Sequence, residues 1–167
     1  DCMAMRNTKT DAEWRAELTP ERVGLVVSES GAVYTYRELN VRANRLANLM
    51  RSLGVGKGDR VAILAQNSVV YVDLLYGLAK IGAILAPLNW RLTARELSYI
   101  AADCAPRAIV CGPEYAGVLA ELRREVDIDI VLGIEGAQIE GGQSYEDGVA
   151  AAADAEPERP PLNSEDI

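Results

Sequence analysis

The sequence predicts an α/β fold, a doubly wound and mainly parallel sheet with helices on both faces. Three observations carry this. Short apolar runs alternate with longer segments of helical periodicity, the order that builds βαβ units. The strand candidates are apolar throughout, as strands covered on both faces must be. And 167 residues with 49 % hydrophobic content suffice to bury one sizeable core.

Taken in order, residues 11–22 (DAEWRAELTPER) read as a short helix ending before Pro20. An apolar strand over Val23–Val27, a turn at Ser30 and Gly31 and a short strand through Val33 and Tyr34 then predict a hairpin. Thr35-Tyr-Arg-Glu38 has capping-box spacing and opens a helix. Its stripe is Leu39, Ala43, Leu46, Ala47, Met50 and Leu53, with Arg37, Arg42, Arg45 and Arg51 largely off it, so an amphipathic helix packed on the sheet is expected up to Gly54.

The segment GVGKGD invites a phosphate-loop reading, which fails. The motif needs Ser or Thr after its lysine and a helix opening behind it, so that free N–H groups point at phosphate. Here Gly58 follows Lys57, and the segment leads from a helix into a strand.

Gly58 to Asn89 reads as strand, helix, strand. Val61–Ala65 is the first strand, Asn67 or Ser68 caps a helix over Val69–Ile81, and Gly82 ends it. That helix is apolar nearly all round, which predicts a buried element. Ala83–Leu88 is the second strand, stopped by Asn89, and the crossover is expected to be right-handed. No glycine-rich phosphate fingerprint sits at either strand end, so the unit reads as structural, with its exit from Asn89 to Thr93 the candidate for touching a ligand.

Thr93 to Glu96 forms a second capping box, and Leu97, Ile100, Ala101 and Cys104 are the expected buried stripe of a helix ended by Pro106. Ala108–Cys111 is a further strand, Glu114–Glu125 a helix through Val118, Leu119 and Leu122, and Ile128–Leu132 a fourth buried strand. Cys104 and Cys111 then read as small core side chains without a basic neighbour. Gly136, Gly141 and Gly142 mark loops, Ser144 caps a short alanine-rich helix, and Glu156–Pro161 is a charged, proline-rich connector. A new element is expected from Ser164. The domain division is therefore 1–20 as an N-terminal extension with a short helix, 21–155 as the α/β subdomain, and 156–167 as a linker.

Composition narrows the function. No histidine is present, which removes Ser-His-Asp and Cys-His pairs and histidine metal sites. Residues 1–120 carry 14 basic and 12 acidic side chains, and residues 121–167 carry 3 and 13. A tail of net charge −10 repels a phosphate backbone, so no nucleic-acid partner is expected. The apolar stretches are too interrupted for a membrane span, the N-terminus lacks the apolar run of a secretory signal, and three cysteines without framework spacing suit a reducing, cytoplasmic setting.

Several segments together resemble the adenylate-forming superfamily of acyl- and aryl-CoA synthetases. Val33-Tyr-Thr-Tyr-Arg-Glu-Leu39 resembles its first core motif, and Gly58-Asp-Arg-Val-Ala-Ile63 the strand that follows. Leu78-Ala-Lys-Ile-Gly-Ala-Ile-Leu-Ala-Pro-Leu-Asn89 resembles the second core motif, continued by Trp90-Arg-Leu-Thr93, where most CoA ligases place proline before the arginine. The resemblance covers about residues 21–167. It implies the N-terminal subdomain of an AMP-forming carboxylic acid–CoA ligase, in which the acid attacks the α-phosphate of ATP with Mg2+ assisting, and coenzyme A then displaces AMP. The family's phosphate-binding loop and its lysine are not matched, Ser164–Ile167 resembling the lead-in to it, so the 167 residues alone are expected neither to adenylate nor to bind a cofactor.

The resemblance further implies that Arg91 is a candidate contact for a coenzyme A phosphate, with Asn89 and Trp90 beside it. An ion pair of Arg91 with Glu96 or plain solvation is the bland alternative, as is an aromatic lid for Trp90. Tyr71 and Tyr76 are candidates for an acyl pocket, against core packing or a domain contact. Expected partners are the remainder of the same polypeptide, a carboxylic acid substrate and a second copy in a homodimer. From a different class, a non-catalytic α/β module binding a ligand or partner is the alternative.

Overall fold

The computed structural model describes residues 19–28 and 30–163. The helix expected ahead of Pro20 and the element expected from Ser164 lie outside the described residues. The chain divides into two compact units, Asp1–Leu39 and Asn40–Ile167.

In the first unit, β1 (Val23–Val26) pairs antiparallel with β2 (Val33–Thr35). The turn between them closes through Gly31, whose φ of 70° suits a residue without a Cβ and whose N–H donates to the Val27 carbonyl. Helix α1 (Tyr36–Ser52) follows at once. The Thr35 N–H and hydroxyl donate to Glu38 Oε2 at 2.7 and 2.9 Å, and the Glu38 N–H donates back to Thr35 Oγ1 at 3.2 Å, the expected capping box.

The second unit is a five-stranded, all-parallel sheet in the order β4-β3-β5-β6-β7. Its strands are β3 (Arg60–Leu64), β4 (Ile84–Pro87), β5 (Ala108–Cys111), β6 (Ile130–Gly133) and the short β7 (Gln143–Ser144), the last not foreseen from sequence. Its helices are α2 (Val69–Ile81), α3 (Ala94–Cys104), α4 (Ala116–Leu122) and α5 (Tyr145–Ala151). Alternate residues of the strands feed two separate cores. Val61, Ile63, Val110 and Leu132 pack with α1, α2 and Tyr145 of α5, whereas Ala62, Leu64, Ile109 and Val131 pack with α3 and α4. Helices therefore cover both faces, and the central strands β3, β5 and β6 are almost wholly apolar because their residues are buried on one side or the other, whereas the edge strands β4 and β7 have exposed ends.

Helix α2 matches its expected bounds. The Ser68 side chain accepts from the Val70 N–H, and Gly82 at φ 70° caps the other end. Gly77 lets α2 approach α1 closely, since a Cβ there would lie 2.9 Å from the Ala43 carbonyl oxygen and from Leu46 Cδ2. Burial of the whole helix, however, is not observed. Leu75 and Tyr76 are 54 % and 56 % exposed, because only the face towards the sheet and α1 is covered among the described residues.

Two other differences have local causes, and a third feature has a distant one. Ile100 is exposed and Ser98 is buried in α3, because the Ser98 hydroxyl donates to the Arg95 carbonyl and so satisfies itself within the helix. The helix expected over Glu114–Glu125 is split into a 3-10 turn at Pro113–Tyr115 and α4, and its end tightens into i to i−3 bonds at Arg124 and Glu125. Asn44, on the polar side of α1, is 4 % exposed.

The reason is residues 153–162, which carry no regular structure and are strapped across α1 and the end of α2. Asn44 Nδ2 donates to the Asp154 carbonyl at 2.8 Å, and Asn48 Nδ2 to those of Ala153 and Ala155 at 2.8 and 2.9 Å. Lys80 Nζ donates to both Glu156 oxygens at 2.8 Å, and Lys57 Nζ to the Pro161 carbonyl at 2.8 Å. The Lys80 ammonium, then Arg159, hold the Glu156 carboxyl down at about 2.

Candidate functional site

In an open parallel sheet a ligand crevice forms at the carboxyl ends of adjacent strands whose following helices leave to opposite faces. Here those strands are β3 and β5, since α2 packs in one core and α4 in the other. The crevice is thus bordered by Ala65 to Ser68 after β3 and by Gly112 to Tyr115 after β5. Gly112 keeps it narrow at the base, since a Cβ there would stand 3.6 Å from that of Ala65.

Aromatic side chains rim this end. The Tyr71 hydroxyl donates to the Ala65 carbonyl at 3.2 Å, and burial, with a smaller contribution from Tyr115, pushes its pKa up. Tyr115 is buried, and its ring centroid lies 6.1 Å from that of Trp90 at a 45° tilt. Sequence reasoning missed Tyr115; the signal was a Gly-Pro pair directly after a buried strand.

The exit of β4 reaches the same rim. Asn89 shapes it, its side-chain oxygen accepting from the Arg91 N–H at 3.1 Å and its carbonyl from the Leu92 N–H at 3.0 Å. Thr93 then caps α3, its N–H and hydroxyl donating to Glu96 Oε2 at 2.9 and 2.8 Å. Those bonds lower the Glu96 pKa and commit its carboxylate to the cap. Arg91 lies instead over the Trp90 ring, 4.0 Å from guanidinium carbon to centroid. A guanidinium so held keeps its N–H edge for an anion while its face is used by the ring. Tyr71 is anchored at the carboxyl end of β3 through Ala65 and packs on the α1–α2 side, Trp90 packs on the α3–α4 side, and Tyr76 is exposed on α2.

Nothing here is built as a nucleophile or metal centre. Burial, with a lesser push from Glu114, raises the Cys111 thiol to about 12, and its S–H donates to the Gly112 carbonyl. Cys104 does have a basic neighbour, contrary to the sequence reading. Arg60 lies close enough to lower its pKa, yet burial outweighs it and the net shift is upward. Among the described residues no group of three or more Cys, Asp or Glu side chains could hold a metal ion. The GVGKGD turn lies at the opposite end of the strands, beside a recess of about 390 Å³ lined by Arg51, Lys57 and Arg159 among others.

A second polar cluster escaped sequence reasoning. Asp73, one turn into α2, is 1 % exposed. Arg42 of α1 grips both its oxygens, with Nε to Oδ1 at 2.8 Å, and the Tyr145 hydroxyl donates to Oδ2 at 2.9 Å. Burial first, and then the Asp73 charge, push the Tyr145 pKa up. The cluster joins α1, α2 and α5 and is satisfied by its own members.

A family model described as AMP-binding enzyme matches residues 12–167. The chain is 37 % identical over 123 residues to the long-chain-fatty-acid–CoA ligase FadD13 of Mycobacterium tuberculosis, covering 74 % of this chain and 24 % of that protein. It is 39 % identical over 108 residues to a feruloyl-CoA synthase of an Amycolatopsis species, covering 65 % and 22 %. Among solved structures, the anthranilate CoA ligase AuaEII in complex with anthranoyl-AMP aligns with a TM-score of 0.83 at 25 % identity, over 93 % of this chain and 30 % of that one. A Mycobacterium tuberculosis fatty acyl CoA synthetase aligns with a TM-score of 0.76 at 33 % identity, over 91 % and 30 %. The chain spans about a quarter of the length of these curated relatives.

Proposed function

The chain belongs to the AMP-binding enzyme family, and from that premise we propose that it forms the N-terminal subdomain of an AMP-forming carboxylic acid–CoA ligase. The overall reaction joins an acid, ATP and coenzyme A to give acyl-CoA, AMP and pyrophosphate. In this reading residues 21–155 scaffold the acyl and coenzyme A sides of the site, residues 1–20 precede it, and residues 156–167 lead on to the rest of the polypeptide.

The observation that carries the proposal is the Asn89–Leu92 exit of β4. It presents a guanidinium, braced on Trp90, at the carboxyl ends of the strands. Arg91 has the charge and planar donor edge to contact a phosphate of coenzyme A, and Asn89 sets the turn that aims it. Tyr71 and Tyr115 border the crevice where an acyl group would lie. In this reading ATP would supply the leaving pyrophosphate and Mg2+ would offset phosphate charge; among the described residues no group of three or more Cys, Asp or Glu side chains is gathered that could hold a metal ion. No helix among the described residues is long and apolar enough to cross a membrane, and a cytoplasmic setting is part of the proposal. The test is ATP–pyrophosphate exchange by the intact protein over a panel of aliphatic and aromatic acids. Exchange with at least one acid is expected; silence with all of them refutes the ligase reading.

A further inference from the structure

The amino ends of the strands carry a second cleft, which the ligase reading does not use. It is the recess of about 390 Å³ beside the GVGKGD turn, at the opposite end of the sheet from Arg91. Three segments each bring one cation to it: Arg51 from the last turn of α1, Lys57 from the turn ahead of β3, and Arg159 from the irregular stretch 153–162. Glu158 is the single acidic residue among those lining it. In a chain of net charge −8, such a gathering of positive charge is a local feature that composition does not supply. We propose that this recess is a binding site for a small soluble phosphate monoester, its phosphate held by the two guanidiniums and its apolar part resting on the floor.

Close packing shapes the recess and leaves it open. Gly82 lets residues 160–162 come down beside the turn, since a Cβ there would stand 3.0 Å from Leu162 Cδ2, 3.1 Å from Pro160 Cγ and 3.3 Å from Lys57 Cγ. At Gly56 a Cβ would meet nothing within 4 Å, so the turn puts no side chain into the mouth. The buried Val55 and Ile81 give an apolar floor, and Pro160 a wall. A cleft of this volume takes a small organic molecule, well beyond the size of a bare ion.

The ordinary reason for basic residues here is the carbonyl ends of α1 and α2, which attract cations. Those carbonyls are already engaged. Leu49, Met50 and Arg51 accept from the N–H groups of Leu53, Val55 and Gly54 respectively, and Leu78 and Ala79 from those of Ala83 and Gly82. The Arg51 guanidinium is exposed and has no hydrogen bond or ion pair among the described residues. Arg159 is braced by Glu156, whose Oε1 takes its Nε and Nη2 and leaves Nη1. The Lys57 ammonium, donating to the Pro161 carbonyl, adds charge from where it stands. Planar guanidinium forks match phosphate oxygens in pairs. A phosphate monoester has nearly two negative charges and three free oxygens, enough for both forks, whereas a carboxylate has one charge and two oxygens.

The probe is phenyl phosphate, added to the intact protein at constant ionic strength. Calorimetry measures its Kd, and phenylglyoxal modification of arginines, mapped by mass spectrometry, reports where it sits. At about ten times its Kd it should slow modification of Arg51 about ten-fold relative to Arg124, an exposed arginine past the end of α4 and outside the recess. Inorganic phosphate, which has no apolar part, should bind at least about ten-fold more weakly. Arg51→Gln should weaken phenyl phosphate at least about ten-fold while leaving the melting temperature of the unliganded protein unchanged. Arg91→Gln, at the other end of the sheet, should leave the protection of Arg51 intact. Absence of binding, or binding that does not protect Arg51, overturns the inference. So does equal protection by potassium chloride at matched ionic strength, which is screening alone, and so does equal affinity for inorganic phosphate, which leaves the floor without a role. None of these outcomes depends on ATP–pyrophosphate exchange, so this site and the ligase reading stand or fall separately.

Discussion

Gly77→Ala is the substitution whose outcome the packing decides against the usual trend. In a helix interior alanine is favoured over glycine by about 1 kcal/mol, so a stabilised protein is the naive expectation. At Gly77 the new methyl meets the Ala43 carbonyl oxygen and Leu46 Cδ2 at 2.9 Å and Leu46 Cβ at 3.1 Å. Leu46 can turn its tip away, but a carbonyl fixed within α1 cannot, so α1 and α2 must separate by some tenths of an ångström. Overpacking of this kind costs about 1–3 kcal/mol. Taking off the gain in helix propensity of about 1 kcal/mol leaves a net loss of up to about 2 kcal/mol. Gly117→Ala in α4 is the matched control, because a Cβ there meets nothing within 4 Å, and it should gain about 0.5 kcal/mol. Urea unfolding of both variants, followed by far-ultraviolet circular dichroism, measures the difference. A Gly77→Ala protein stabilised as much as the Gly117→Ala control would refute the close helix contact.

Further outcomes can be stated briefly. Arg42→Met leaves the buried Asp73 carboxylate with Tyr145 alone and should cost about 3 kcal/mol, the low end for such a break because Arg42 is 30 % exposed; the further change Asp73→Leu should restore part of it, and a single variant within 1 kcal/mol of the parent contradicts the cluster's role. Trp90→Ala in the full-length enzyme removes the shelf under Arg91, a contact of about 0.5–1 kcal/mol, and should raise KM for coenzyme A about two- to five-fold while KM for the acid holds; equal effects on both mean that the ring does not orient Arg91. The Cys111 thiol, held up at about 12 against 9.0 in the open chain, keeps its proton where the unfolded chain loses it. Stability should therefore be intact below pH 9 and fall as pH rises towards 12, with Tyr71 and Tyr145 adding in the same direction; denaturant midpoints that stay flat from pH 8 to 10.5 would count against it. Glu156 works in the opposite sense, its contribution present above pH 4.5 and lost towards pH 2, so amide exchange in residues 153–162, corrected for intrinsic rates, should accelerate between pH 5 and 2.5.

The fold was legible because its strands are short, apolar on both faces and separated by helices with explicit end signals. Thr35 with Glu38, Thr93 with Glu96, and Ser68 with Gly82 mark helix ends by local chemistry alone, and the structure forms each cap. Burial that depends on distant chain was not legible. Asn44 looks like a solvent-facing residue on α1 until Asp154, 110 residues later, covers it. Asp73 reads as an interruption of an apolar helix, and only the sheet topology brings Arg42 and Tyr145 to it. Ile100 fits a helical stripe as well as Ser98 does, yet Ser98 is the buried one, its hydroxyl satisfied on the Arg95 carbonyl. The candidate site divides the same way. Asn89, Trp90 and Arg91 form one continuous segment that sequence can single out, whereas Tyr115 joins them only because β5 lies next to β3 in the sheet.

The strap over α1 bears on how this fold can be recombined. A chimera that joins the subdomain to a foreign partner at residue 152, where regular structure ends, would uncover the amides of Asn44 and Asn48 and the ammonium of Lys80 together. A seam placed after residue 162 leaves those hydrogen bonds intact. A graft that respects it carries residues 153–162 with α1 and α2 as a single inherited block, whereas one that splits them must redesign three polar positions on two helices.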